Sequence, residues 1–87
     1  GDTVAPVVTL NGQSSVTLTQ GSLYTEEGAT ATDNVDTTVT VVTTGLIDTT
    51  TAGTYTITYT ATDTSGNVGT ITRQVIVTTT EQAPVTP

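Results

Sequence analysis

The chain has 87 residues, eight carboxylates against one cation, Arg73, and a net charge of −7. That balance excludes nucleic acid and an anionic membrane surface, which call for clustered Lys and Arg. With no histidine, cysteine or lysine there is no His–carboxylate pair, thiol, disulfide, imidazole ligand for zinc or amine for a Lys–Asn crosslink.

The length fits one domain with one thin core. Threonine fills 27 positions, and with valine it makes the chain rich in β-branched residues. Such residues favour strands, so the fold class read here is all-β. No apolar run approaches the length of a membrane span, and no signal-peptide pattern is visible.

In chain order, residues 1–6 read as a leading linker, with Pro6 suited to a sheet edge. Val8 and Leu10 alternate as a short strand. Asn11-Gly12-Gln13-Ser14 interrupts it, and Val16 and Leu18 resume the alternation. Asn-Gly could be a hairpin turn, but a kink that carries one edge strand from one sheet to the other is preferred. After the Gly21-Ser22 turn, Ala29 and Ala31 share one face. They leave room for Tyr55 and Tyr59 opposite.

Asp33-Asn34-Val35-Asp36 has Asx-turn character. Val39 to Val42 reads as a strand of ambiguous parity, and Leu46 to Asp48 as another short one. The stretch Gly53–Asn67 carries the strongest pattern. Tyr55, Ile57, Tyr59 and Ala61 take one parity and the threonines from Thr54 to Thr62 the other, the mark of a half-buried strand. Asp63 to Asn67 closes it as a turn, and Val68 to Thr79 forms the last strand. Residues 80–87 read as a Pro/Thr exit linker.

Arg73 conflicts with this pattern, because it shares the inward parity of Ile71, Val75 and Val77. Either a bulge near residues 69–72 resets the register and exposes it, or it lies covered and pairs with Glu26 or Glu27. The exposed reading is preferred. About seven short antiparallel strands at this spacing give a two-sheet sandwich. Without a Cys…Trp…Cys framework it is not of the antibody type.

The combination Asp2-x-x-Ala5-Pro6, Tyr24-x-Glu26-x-Gly28-Ala29-x-Ala31-x-Asp33, Gly53-Thr54-Tyr55-x-Ile57-x-Tyr59-x-Ala61-x-Asp63-x-x-Gly66-Asn67 and Arg73-x-Val75-x-Val77 resembles the bacterial surface protein Ig-like domain family. It spans almost the whole chain. Glu26 stands where Asp is more usual. The resemblance implies an Ig-like β-sandwich over residues 7–79. It also implies a non-catalytic, monomeric module of a secreted or cell-surface bacterial protein, in tandem with neighbouring domains of the same chain. Spacing or presenting other domains, as in an adhesin stalk, is the expected role. The alternative is binding to a surface glycan or protein. The resemblance supplies no ligand-binding residue.

Four features are candidate sites. An Ig-like topology gathers Asp2, Asp33, Asp36 and Asp63 at one pole, where Asn34 and Asn67 could complete an oxygen shell for calcium. Ala31-Thr32-Asp33 and Ala61-Thr62-Asp63 are similar to cadherin calcium motifs, without their spacing. Asp and Asn serving turns is the preferred alternative. The threonine row Thr54–Thr62 could meet ice or a crystalline surface, although sheet twist spoils a flat match. Paired carboxylates could run glycoside hydrolysis, yet no activated nucleophile is present, so no enzyme is expected. Tyr24 is the one tyrosine free to stack on a sugar.

Overall fold

The computed structural model describes residues 3–36 and 38–79. Six strands form in chain order: β1 (Val7–Leu10), β2 (Ser15–Thr19), β3 (Ala29–Thr32), β4 (Val41–Thr44), β5 (Gly53–Thr62) and β6 (Val68–Thr78). They make two sheets, one of order β1-β3 and one of order β2-β6-β5-β4. The all-β sandwich expected from the sequence is therefore present, with six strands among the described residues rather than about seven.

The β5–β6 hairpin is the frame. Its ten antiparallel pairs run without an offset from Gly53↔Val77 to Thr62↔Val68. Gly66 turns the loop, with φ of 90° and its N–H on the Asp63 carbonyl at 3.1 Å, a conformation that favours glycine. The period of two then places Ile57, Tyr59, Ala61, Val75 and Val77 in the core with Val8. Ala29, Ala31 and Tyr55 pack against it partly buried.

Asn11 to Ser14 is a kink and not a hairpin. β1 pairs with β3 in one sheet, while β2 crosses over and pairs with β6 in the other. The β2–β6 pairing is parallel, Ser15↔Gln74 to Thr19↔Thr78, which corrects the expectation of antiparallel strands throughout. A chain that changes sheet without reversing direction must join the last strand in this sense. Pro6 is buried, and its carbonyl abuts β6 where a Cβ at Gly69 would overlap it. Glycine at 69 thus admits the backbone of the incoming segment.

Two strand expectations shift. β4 begins at Val41, and Val39 and Val41 are the residues that pack on the core, while Val42 is exposed. Leu46 to Asp48 forms no strand. The Asp48 carboxylate accepts from the Thr50 N–H and from the Thr50 and Thr51 hydroxyls. These local bonds compete with a ladder and fold the segment into a turn. Leu46 is left 91% exposed.

The expectation of an exposed Arg73 is also corrected. The register passes through Ile57↔Arg73 with no bulge, and Arg73 is 1% exposed. Enough acceptors surround its guanidinium to hold a charge at a core position.

Candidate functional site

At the acidic pole, the loop after β3 and the β5–β6 turn come together. One Asp33 carboxylate oxygen accepts from the backbone N–H groups of Val35 and Asp36, at 3.1 and 3.0 Å. Asp36 reaches across to the other loop. Its carboxylate accepts from the Thr64 N–H at 2.8 Å and from the Thr64 hydroxyl at 3.0 Å. Asp63 is buried and accepts from the N–H groups of Ser65 and Asn67 and from the Asn67 side-chain amide. Asn34 is exposed on the same loop. Asp2 lies outside the described residues.

The loop after β3 and the β5–β6 turn are thus joined through Asp36 and Thr64. Among the described residues, no three His, Cys, Asp or Glu side chains are grouped as a metal centre. The bonds at Asp33 and Asp63 are those of turns, whose amides turn positive ends toward the carboxylates. One atom stands apart: Asp33 Oδ1 is buried with no hydrogen-bond partner among the described residues.

The sequence reading missed a second cluster, centred on Arg73. The guanidinium has five N–H donors in a planar fork. Its Nε donates to the Tyr59 hydroxyl at 3.0 Å. One terminal nitrogen donates to the Gln13 carbonyl at 2.8 Å, and the other to the Asn11 and Gly28 carbonyls at 2.7 and 2.9 Å. The carbon between them lies 5.5 Å from the centre of the Tyr59 ring, within cation–π range. The Tyr59 hydroxyl donates onward to Glu26 at 2.6 Å, so the link from Arg73 to Glu26 runs through a phenol. Tyr24 donates to the other Glu26 oxygen at 3.1 Å, and the Gly28 N–H adds a further bond.

The electrostatics follow from this shell. Burial pushes the Glu26 carboxyl up, but hydrogen bonds from Tyr59, Gly28 and Tyr24 and the charge of Arg73 outweigh it and hold Glu26 below the usual carboxylate value. Burial and the bond to Glu26 both push the Tyr59 and Tyr24 phenols above their ordinary value. Burial opposes the Arg73 charge, yet the bond to Tyr59 and the nearby acidic groups leave its pKa raised. Tyr24 is engaged in the cluster through its bond to Glu26 rather than free. Beside it runs an open groove of about 530 Å³, lined by residues including Gln13, Val16, Leu18, Leu23, Tyr24 and Arg73.

The threonine row lies on the outer face of the four-stranded sheet. Thr44, Thr58 and Thr72 are neighbours across three strands, as are Val42, Thr60 and Thr70. The parity conflict at Arg73 was the signal that could have found the cluster. An inward-facing arginine beside core valines demands acceptors, and the carbonyls of a kink are a ready supply.

These features define an Ig-like β-sandwich module. The family model for the bacterial surface protein Ig-like domain matches residues 8–77, and the chain belongs to that family. The family is generally non-catalytic. The fold is similar to the crystal structure of the lipoprotein BT2262 from Bacteroides thetaiotaomicron, with a TM-score of 0.75 and 26% identity over 92% of this chain. The chain spans 41% of that structure's length. Curated proteins gave no match. Together these comparisons support a surface-associated module at a cell-surface or extracellular location. Among the described residues no helix is long and apolar enough to cross a membrane.

Proposed function

We propose that the chain is a non-catalytic spacer in a secreted or surface protein, one that holds neighbouring domains of the same chain apart and carries tension between them. The observation that carries this reading is the parallel pairing of β2 with β6. The incoming chain meets β6 near Gly69, and β6 ends at Thr78 beside Thr19. The two ends of the domain are thus separated by most of an eleven-residue strand, roughly 30 Å at strand rise. Tension along that axis slides β2 against β6 and loads their hydrogen bonds together rather than one at a time. The surplus of negative charge keeps repeated modules soluble and apart.

The test is single-molecule stretching of the full chain. Pulling through the two ends should require more force than unzipping β5 from β6. Equal resistance in the two directions would remove the load-bearing role.

A second reading is a cation at the acidic pole, favoured by the buried, unpartnered Asp33 Oδ1. Asp2, Asp33, Asn34, Asp36, Asp63 and Asn67 remain its proposed oxygen donors, with calcium the matching ion. A melt in EDTA and then in calcium tests it. An unchanged midpoint at millimolar calcium removes it for this chain.

A further inference from the structure

We infer that Arg73 is a force latch that couples the Asn11–Ser14 kink directly to the last strand. This rests on the load-bearing reading above and names the residue that makes it work. Tension arriving through β1 reaches the kink before it reaches the β2–β6 ladder. There Arg73, rooted in the middle of β6, holds the Asn11 and Gln13 carbonyls at 2.7 and 2.8 Å. A third bond to the Gly28 carbonyl ties the same guanidinium to the segment ahead of β3, and the Asn11 N–H bonds that carbonyl as well.

The kink is thinly held by backbone bonds: the Asn11 N–H donates to the Gly28 carbonyl at one end, and the Ser14 carbonyl accepts from the Gln74 N–H at the other. Two charge-assisted bonds from one buried side chain hold the Asn11 and Gln13 carbonyls between those ends, and such bonds are about twice as strong as neutral ones. Lysine keeps the charge but not the planar fork that reaches three carbonyls. The force therefore enters β6 at Arg73 and along β2 in parallel.

The chain has no cysteine, so paired cysteines set the pulling points. Thr3→Cys with Thr79→Cys loads the kink. Ser15→Cys with Thr79→Cys loads the β2–β6 ladder beyond it, and Ala52→Cys with Thr79→Cys unzips β5 from β6. Forced unfolding is governed by the unfolding rate. On the otherwise unchanged chain, moving the attachment from Thr3 to Ser15 should speed unfolding at fixed load by roughly tenfold or more, about 1.4 kcal/mol of barrier. Adding Arg73→Lys should erase that difference and produce an early lengthening step as β1 and the kink strip away. It should change the unzipping rate much less.

Equal rates from Thr3 and Ser15 on the unchanged chain overturn the latch, and this arm does not depend on the Arg73 variant folding. A uniform acceleration of all three geometries by Arg73→Lys overturns it too, since that is ordinary destabilisation. If the Thr3 geometry is no stronger than unzipping, the load-bearing reading itself falls. A strong Thr3 geometry that Ser15 matches leaves that reading standing without the latch.

Discussion

Asp63 finds its backbone donors two and four residues away, at Ser65 and Asn67, whereas Arg73 reaches across 45 to 62 residues to Gly28, Gln13 and Asn11. Both are charged residues and both are buried, and each makes several hydrogen bonds, yet they do different work. The Asp63 bonds form as soon as the turn forms. The Arg73 bonds form only once the kink, the segment ahead of β3 and the hairpin have docked. A local charge shapes a loop, and a long-range charge reports and secures the assembled sandwich.

The largest expected effect is at the long-range end. Arg73→Met strands the Asn11 and Gln13 carbonyls, removes one of the two donors to the Gly28 carbonyl and leaves Glu26 without its nearby cation, at a cost of ~3–5 kcal/mol by analogy with broken buried pairs. A domain of this length has about 4–13 kcal/mol in all, so the variant sits near unfolding. Urea titration measures this. A loss within about 0.5 kcal/mol would match an ordinary surface site and break the comparison.

Asp63→Ala comes next. It leaves turn amides without their acceptor and should cost ~1–3 kcal/mol. Hydrogen exchange sharpens the contrast. Protection should drop in the turn from Asp63 to Asn67 for this variant, but throughout both sheets for the Arg73 variant.

A smaller effect lies in the pH dependence of Glu26. Its folded pKa is depressed, so its contribution is present above the unfolded value of about 4.3 and is lost as pH falls through the folded value. The stability gap between the parent chain and Glu26→Gln should therefore narrow in acid. Tyr24 and Tyr59 have raised values. Their contribution is present below about pH 10 and is lost as pH rises through the folded values. Melts across both ranges check the two signs. The smallest effect is calcium at the pole. For a dissociation constant equal to the calcium concentration, the gain is about 0.4 kcal/mol, or ~2–3 °C in a melt.

Much of the fold was legible because its signals are short-range. Alternation from Thr54 to Thr62 fixes which face of β5 is wet, and Asp63 to Asn67 encodes its own turn. The Asn11–Ser14 kink was legible as a break in β periodicity. The failures share a cause. Leu46 to Asp48 carries strand-compatible residues, but the Asp48 carboxylate captures the Thr50 backbone amide two residues on. At Arg73 parity pointed inward, and the cost of burying a charge argued outward. Three distant carbonyls, a tyrosine ring and a phenol-bridged glutamate decided that balance, and no sequence window holds them all.

The sequence by itself thus determined the all-β class, the central hairpin and the inward face of β5. Those follow from side-chain period and turn chemistry, which act over a few residues. Only the tertiary structure decided the parallel sense of β2 against β6 and the burial of the chain's one cation. Both depend on backbone groups that meet across some 60 residues, where the free energy of a charge is set by its assembled neighbours and not by its place in the chain.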